Sequence, residues 1–383
     1  MCGITGIFAF NTIGRINLVH LEAATRSLEK RGPDAHNSWF DHVVGLGHRR
    51  LSIIDTSNAA NQPMADQSGR YRLVFNGEIY NYQQLRQELR SLGHTFQTDS
   101  DTEVLLTAYI QWEEGVLDRL NGFFAFAIYD QENESLFVAR DRFGIKPLLY
   151  FKDEDKFIFA SEMKSLMAYG VPRSIDKESL HLYFQLTYIP APKSIFEGVE
   201  KLAPGHFIRM QNGVFEKKQY YQLPFKSAPE LAPGPGTNAK LIDALRQAVH
   251  DRLVADVPLG AFLSGGIDSS IITALASEQV SQLKTFSIGF KDNAFFDETH
   301  YANLVAEKYQ TDHQVFSLTN DDLLSEVSQM VDYIDEPFAD SSALPVYLLS
   351  RKTREHVTVA LSGDGADELF SGYNKHSAWL MAM

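Results

Sequence analysis

The chain has 383 residues, which fits two domains best. Its 44% hydrophobic and 22% charged residues describe a globular chain with an ample core, so collagen-like, coiled-coil and disordered classes are excluded. The formal net charge of −14, without a basic patch, argues against nucleic-acid and anionic-membrane partners. No apolar run approaches the roughly 18 residues that span a bilayer, and no basic flank opens the chain, so we expect a cytoplasmic protein.

The one cysteine is Cys2, directly after Met1. A single cysteine forms no intrachain disulfide and no thiolate cluster for zinc, and at most positions it is simply a small buried apolar residue. Position 2 is different, because removal of Met1 would leave a thiol and a free α-amine on the same residue. That amine has an unperturbed pKa of about 8, so we interpret Cys2 as a candidate N-terminal nucleophile with its own base.

Residues 2–215 form the first predicted domain. Short apolar stretches bounded by Gly, Asn or Asp predict strands, and apolar residues at three-to-four spacing predict helices. In chain order these are strand 2–10, helix 18–28, strand 71–75, a helix around residues 85–92, helix 102–109 and strands 123–130 and 135–140. The dipeptide Asn76–Gly77 taken alone predicts a hairpin turn. Strands with segregated helices predict a layered α+β domain.

Residues 216–238 form the predicted linker, because prolines and glycines crowd its second half and neither a helix nor a central strand can continue through them. Residues 239–383 form the second predicted domain. Its predicted elements are helix 241–252, strand 259–263, helix 269–276, strand 284–290, helix 301–308, strand 313–317, helices 321–333 and 343–354, and strand 357–361. This alternation predicts a doubly wound, mostly parallel α/β sheet.

A run of small polar residues follows the strand that Leu263 ends. The run is Ser264, Gly265, Gly266, Ile267, Asp268, Ser269 and Ser270, and it leads directly into a helix. The glycines let the backbone approach an anion closely, and the start of the helix presents unpaired N–H groups. No Lys-Ser/Thr pair follows the glycines, so this is not a Walker A loop. A simple helix cap is the alternative, but the pattern favours a phosphate cradle.

A second cluster follows strand 357–361 and again opens a helix. Its members are Ser362, Gly363, Asp364, Gly365, Ala366, Asp367 and Glu368. Because ligands collect at the carboxyl ends of parallel strands, both clusters are expected on one rim of the sheet. Acids beside a polyphosphate predict Mg²⁺, which one or two carboxylates and the phosphate oxygens would hold. The alternative is an ordinary solvated helix start.

Cys2, Gly3 and Ile4 at the N-terminus, combined with the run 264–270, resemble the glutamine-dependent asparagine synthetases over essentially the whole chain. The resemblance implies an N-terminal-nucleophile glutaminase with a four-layer αββα sandwich, followed by a synthetase domain of the ATP pyrophosphatase type. Members of the family continue far beyond position 383, so we expect that this domain is incomplete and its synthetase activity impaired. The implied substrates are glutamine, aspartate and ATP, with Mg²⁺ as the metal and a homodimer as a candidate assembly.

The resemblance also assigns roles in the glutaminase. Cys2 corresponds to the nucleophile that attacks the glutamine amide. Arg50 corresponds to the guanidinium that binds the glutamine α-carboxylate, a group that arginine recognises at two points. Asn76 and Gly77 correspond to the donors of the oxyanion hole. Two acids correspond to the pair that holds the substrate amino group: Glu78 and Asp101.

In the synthetase half, the run 264–270 corresponds to the pyrophosphate loop, and Asp268 and Asp367 correspond to the magnesium-binding acids. Asp364 stands where the best-known members carry a glutamate, and its shorter side chain is expected to act on the incoming ammonia. Four positions correspond to those that hold the adenylate: Leu263, Ile288, Ser362 and Gly363. The implied reaction activates the β-carboxylate of aspartate as β-aspartyl-AMP, and ammonia converts it to asparagine with release of AMP.

Two other interpretations stay open. An amidotransferase of the same architecture could act on a different carboxylate in a specialised pathway, and the residues of the acceptor pocket would separate this case. A regulatory module that binds nucleotide without turnover is the second alternative. The complete amide-hydrolysis set at Cys2, Arg50, Asn76 and Asp101 argues against it.

Overall fold

The computed structural model describes residues 1–211, 213–224, 234 and 236–382. The chain divides into two compact units, of which unit 1 comprises Met1–Ser227 with Tyr333–Asp340, and unit 2 comprises Ala228–Asp332 with Ser341–Met383. The division after Ser227 falls inside the predicted linker 216–238, but residues 225–233 and 235 of that linker lie outside the described residues. The exact domain bounds therefore remain a prediction.

The described strands of unit 1 form two antiparallel sheets. In chain order they are β1 (Gly3–Ala9), β2 (Ala35–Phe40), β3 (Val44–Arg50), β4 (Met64–Ala65), β5 (Tyr71–Ile79), β6 (Gly122–Asp130), β7 (Ser135–Arg140), β8 (Leu149–Lys152), β9 (Lys156–Ala160), β10 (Val199–Lys201), β11 (His206–Gln211) and β12 (Val214–Gln219). The first sheet has the order β10-β8-β9-β1-β3-β2, and the second has the order β12-β11-β7-β6-β5-β4. Strand β12 continues four positions beyond the predicted domain end at residue 215.

Helices cover the outer face of each sheet of unit 1. They are α1 (Thr12–Ile16), α2 (Leu21–Arg26), α3 (Tyr82–Ser91), α4 (Asp101–Trp112), α5 (Val116–Arg119), α6 (Met163–Ala168) and α7 (Lys177–Leu186). Helix α2 contacts β1, β3 and α6, whereas α4 contacts α3 and β5 of the other sheet. The core between the sheets joins side chains of both, among them Ile4, Leu46, Val74, Ala127 and Phe159. This arrangement confirms the αββα sandwich.

Strand β1 shows why its sequence is a continuous apolar run. Successive side chains of a strand point to opposite faces. Ile4 and Phe8 pack into the core between the sheets, whereas Ile7 packs with Leu21 and Ala24 of α2 on the other face. All seven residues of β1 are buried for this reason. The strand that directly follows the candidate nucleophile Cys2 is therefore packed on both faces.

The hairpin turn predicted at Asn76–Gly77 is wrong. Both residues lie within β5, where they pair with Ala125 and Phe124 of β6. A Cβ atom on Gly77 would lie 2.2 Å from the carbonyl oxygen of Phe123. Gly77 therefore allows β6 to approach β5 closely. The local dipeptide pattern does not reveal this pairing.

Unit 2 alternates helices and strands as predicted. Its elements are α8 (Thr237–Arg252), β13 (Leu259–Phe262), α9 (Ile267–Ser277), β14 (Lys284–Phe290), α10 (Thr299–Tyr309), β15 (Asp312–Leu318), α11 (Asn320–Val331), α12 (Ala343–Thr353), β16 (Val359–Leu361), α13 (Ala366–Phe370) and α14 (Asn374–Ala382). The strand order is β15-β14-β13-β16, and each neighbouring pair is parallel, which confirms the parallel sheet. No helix in the described part of the chain is both long and apolar enough to span a membrane.

Candidate active sites

Cys2 lies directly before β1 and is half-buried. Its Sγ donates to the carbonyl oxygen of Leu51 at 3.6 Å and accepts from the backbone N–H of Leu51 at 3.4 Å. The antiparallel pairing of β1 with β3 brings these distant residues together. Burial raises the pKa of the Cys2 thiol above its ordinary value. The thiol is therefore mostly protonated, and a nucleophilic role requires a base beside it.

A buried amine lies at the same place. Burial, assisted by the cations of Arg31 and Lys146, lowers the pKa of the Met1 α-amine to about 5. An amine in this environment is uncharged at neutral pH, so its lone pair is free to take part in a proton transfer. The surroundings of Cys2 thus favour a neutral amine over an ammonium.

Asn76 lines the cavity that contains Cys2, and its side-chain amide is unpaired within the described residues. The residue is 1% exposed, and in this part of the chain neither its side-chain nitrogen nor its side-chain oxygen has a hydrogen-bond partner. Leaving a buried amide unpaired costs about 1–3 kcal/mol, so most such groups in proteins are satisfied. An amide that lacks partners, on a residue that lines a cavity beside a thiol, is suited to bind an oxygen of a ligand.

Arg50 lines the same cavity and holds the loop that follows β3. Its Nη1 donates to the carbonyl oxygen of Ser57 at 2.7 Å and to Oδ1 of Asn61 at 2.9 Å. Its Nη2 donates to the carbonyl oxygens of Ile54 and Asp55. The guanidinium is buried and rigidly held. It therefore places a fixed positive charge at the wall of the cavity.

Glu78 and Asp101 bring two carboxylates to the same cavity. Asp101 is the first residue of α4, is buried, and accepts from the backbone N–H of Ile79 at 3.0 Å. Burial, assisted by the nearby charge of Glu78, raises the pKa of Asp101 to about 7. A cation placed between the two acids would favour their ionised forms.

Lys146 and Gln62 also line the cavity, and neither was predicted. Burial lowers the pKa of the Lys146 ammonium, whose Nζ lies 3.3 Å from Sδ of Met1, and the loop that carries it is tied to the buried carboxylate of Asp141. Gln62 accepts the backbone N–H of Phe75 at 2.6 Å. Isolated loop residues of this kind carry no periodicity or motif, so no sequence signal identifies them.

In unit 2 the run 264–270 forms a tight turn into α9. Gly265 has φ of +87°, and a Cβ there would lie 2.5 Å from the backbone nitrogen of Ala302, so glycine is required. Gly266 caps the helix, and its N–H donates to Oγ of Ser264 at 3.2 Å. The hydroxyls of Ser264 and Ser269 lie 3.0 Å apart.

The second cluster of unit 2 meets the first. Strands β13 and β16 are parallel neighbours, and Gly363 approaches α9 so closely that a Cβ there would lie 2.9 Å from Cβ of Asp268 and 3.1 Å from the backbone nitrogen of Ser269. Asp364 is exposed and accepts from Oγ of Ser362 at 2.9 Å. Of the remaining predicted positions, Leu263 directly follows β13, Ser270 lies in α9, Ile288 on β14 and Asp367 in α13.

The chain matches two family profiles, described as "Glutamine amidotransferase domain" over residues 1–221 and "Asparagine synthase" over residues 240–383. Asparagine synthetase (glutamine-hydrolyzing) 1 of Bacillus subtilis is 40% identical and covers 98% of this chain, which spans 59% of that protein. Asparagine synthetase 3 of the same organism is 35% identical, covering 97% of this chain and 63% of the relative. The putative asparagine synthetase 2 of Methanocaldococcus jannaschii is 35% identical, covering 98% of this chain and 76% of the relative. The chain therefore belongs to the family of glutamine-hydrolysing asparagine synthetases.

Proposed function

We propose that this protein hydrolyses glutamine at Cys2 and uses the ammonia for the ATP-dependent conversion of aspartate to asparagine. The observation that carries the proposal is the buried, unpaired amide of Asn76 in the cavity beside the Cys2 thiol. An oxyanion formed during attack on an amide carbonyl would satisfy the donor that the free protein leaves unpaired.

Glutamine hydrolysis requires that Met1 has first been removed from the chain. The α-amine of Cys2 then takes the proton of the Cys2 thiol, and Sγ attacks the amide carbon of glutamine. The amide nitrogen leaves with that proton as ammonia, and the remaining γ-glutamyl thioester is hydrolysed by water to glutamate and the free thiol. During both steps the Asn76 side-chain N–H and the Gly77 backbone N–H stabilise the tetrahedral oxyanion.

The other cavity residues orient glutamine. The fixed guanidinium of Arg50 binds the α-carboxylate, and Glu78 and Asp101 bind the α-amino group. Since the amino group of glutamine is a cation, it supplies the positive charge that stabilises both carboxylates in their ionised forms. With its α-carboxylate at Arg50 and its α-amino group at Glu78 and Asp101, glutamine would direct its side-chain amide toward Cys2.

We expect the Arg50→Lys variant to raise the KM for glutamine by about tenfold or more while kcat falls less. A lysine keeps one positive charge but loses the planar guanidinium that the loop oxygens hold in a fixed position. Steady-state kinetics of glutamate release give both parameters. Lysine also loses the contacts with residues 54–61, so thermal unfolding is measured in parallel. If stability falls but KM stays unchanged, Arg50 serves only to hold the loop.

The KM for glutamine should fall as the pH rises through about 7, the pKa of Asp101 in the free protein. Ionised Asp101 attracts the substrate ammonium, whereas protonated Asp101 does not. The Asp101→Asn variant should raise KM about tenfold or more and flatten this profile. Initial rates over a pH series test both effects. A pH-dependent KM that persists in the variant would contradict the role of Asp101.

The rim of unit 2 fits an adenylate and its pyrophosphate. The turn at Gly265 leaves no room for a side chain, and the first turn of α9 offers backbone N–H groups to an anion. Ser264, Ser269 and Ser270 add hydroxyl donors. Positions Leu263, Ile288, Ser362 and Gly363 would hold the nucleotide. Asp364, exposed on the rim, would receive a proton from ammonia as it attacks.

The same rim fits Mg²⁺. The close approach of Gly363 to Asp268 places the pyrophosphate loop against the acidic cluster. Although no group of three or more His, Cys, Asp or Glu side chains suited to a metal occurs among the described residues, Mg²⁺ on a nucleotide needs only one or two carboxylates and retains waters. Asp268 and Asp367 would hold the ion, which when bound neutralises charge on the leaving pyrophosphate.

The test of the whole proposal is an assay of glutamate release from glutamine, performed with and without ATP and aspartate, and of asparagine formed. Glutamate and asparagine formed in parallel support it. Glutamate without asparagine would support the glutaminase and contradict amidation of aspartate by this chain. Amidation of another carboxylate instead of aspartate favours the specialised amidotransferase. Nucleotide binding without either product would favour the regulatory module.

A further inference from the structure

Residues Tyr333–Asp340, which we call the returning segment, belong to unit 1 although they fall within the stretch matched by the asparagine synthase profile. One backbone hydrogen bond and one ion pair hold the segment against unit 1. The N–H of Ala339 donates to the carbonyl oxygen of Thr187 at 2.9 Å. The carboxylate of Glu336 forms an ion pair with Lys201. The segment is thus docked on the glutaminase unit.

From this segment a row of alternating charges leads to the backbone of the candidate nucleophile. Oδ1 of Asp335 lies 3.3 Å from Nζ of Lys164, which lies 3.3 Å from Oε2 of Glu162. Oε1 of Glu162 lies 3.2 Å from Nη1 of Arg31. Nε of Arg31 donates to the carbonyl oxygen of Cys2 at 2.8 Å. The row therefore ends on the residue that performs the proposed reaction.

The members of this row depend on one another because they are largely removed from water. The side chains of Arg31, Glu162, Asp335 and Lys164 are 11%, 13%, 18% and 28% exposed. A charge with so little hydration needs an opposite charge beside it, and loss of one partner disturbs the next. The second terminal nitrogen of Arg31 has no hydrogen-bond partner within the described residues. Its orientation therefore rests on Glu162 and the Cys2 carbonyl.

Asp335 is also fixed in place independently of its charge. Its Oδ2 accepts the backbone N–H of Met163 at 2.5 Å, at the start of α6. Glu162 is the residue that precedes this helix. Residues 162–164 thus supply a carboxylate, a backbone donor and an ammonium to the row. A displacement of the Asp335 carboxylate would therefore also displace Lys164 and Glu162.

We propose that Asp335, acting through Lys164, Glu162 and Arg31, positions Cys2 for glutamine hydrolysis, so that the returning segment completes the glutaminase site. This inference rests on the proposed glutaminase function. It makes Asp335 a positioning residue, since its carboxylate touches neither the Cys2 side chain nor a substrate. The segment contributes to the first reaction although its sequence lies in the second family profile.

The test uses the Asp335→Asn variant of the full chain. Asparagine keeps the shape and still accepts the Met163 N–H but removes the charge that pairs with Lys164. We expect kcat for glutamine hydrolysis to fall about tenfold, the KM for glutamine to stay within about twofold, and the rate of Cys2 alkylation by iodoacetamide to fall in parallel. The Asp335→Glu variant should recover most of both rates.

Glu336→Gln is the matched control. Glu336 neighbours Asp335 in the same segment, is equally shielded, and pairs with Lys201 rather than with a member of the row. The Glu336→Gln variant should therefore keep kcat within about twofold of the parent chain. A second control is Asp335→Asn in a Glu162→Gln background, which should cause no further loss because the row is already broken.

Two results would overturn the inference. One is an unchanged kcat and alkylation rate in Asp335→Asn; the other is an equal loss in Asp335→Asn and Glu336→Gln, which would mean that docking alone matters. Thermal unfolding of each variant identifies loss of fold. If the parent chain does not hydrolyse glutamine, the proposed function fails, while the alkylation rates still decide whether Asp335 positions Cys2.

Discussion

The Cys2→Ala variant is expected to lose glutamine hydrolysis by at least about a thousandfold, because alanine offers no nucleophile and Asn76 alone cannot replace the covalent step. Glutamate release measures the loss. ATP binding should be unchanged, since the loop 264–270 belongs to unit 2. With ammonia supplied directly, any ATP-dependent product of the parent chain should form at the same rate in the variant.

Mass spectrometry of the parent chain should in addition show that Met1 has been removed, because the proposed mechanism uses the α-amine of Cys2 as the base. A Cys2→Ser variant is the matched control for packing, as serine keeps a small polar side chain but is a far weaker nucleophile at neutral pH. It should retain the fold and bind glutamine with nearly unchanged affinity. Undiminished hydrolysis in Cys2→Ala would exclude the N-terminal-nucleophile mechanism.

The Asp268→Asn variant is expected to lose ATP–pyrophosphate exchange in the presence of aspartate by about two orders of magnitude. The amide keeps the shape of the side chain but removes the charge that would hold Mg²⁺ beside the pyrophosphate. Stability should change by no more than about 1 kcal/mol, the size of a favourable charge in the first turn of a helix. Glutamine hydrolysis should be unaffected.

Asp321→Asn is the matched control for this variant. Asp321 also lies in the first turn of a helix of unit 2, α11, and is exposed. It should show the same small change in thermal unfolding but full exchange activity. If both variants lose exchange equally, or if Asp268→Asn keeps it, Asp268 does not bind the metal. Titration of Mg²⁺ in the exchange assay provides a second readout, because weaker metal binding shifts the half-saturating concentration upward.

The sequence predicted what depends on short-range pattern. Apolar runs and glycine-rich strand ends located β1, β13 and the turn at Gly265, since strand burial and helix starts leave local signatures. It failed at Asn76–Gly77, where pairing with a strand more than forty positions away overrides the turn preference of the dipeptide. Lys146 and Gln62 reach the cavity through tertiary packing alone, so nothing near them in the sequence marked them.

The discontinuity of unit 1 has a consequence for synthesis on the ribosome. After Ser227 the ribosome must add residues 228–332 before the returning segment emerges. At about 5–20 residues per second this takes on the order of 5–20 seconds, during which Glu162 and Lys164 have no Asp335 to pair with. We therefore expect a nascent chain arrested before residue 333 to expose this stretch to proteases, and one arrested well after residue 340 to protect it.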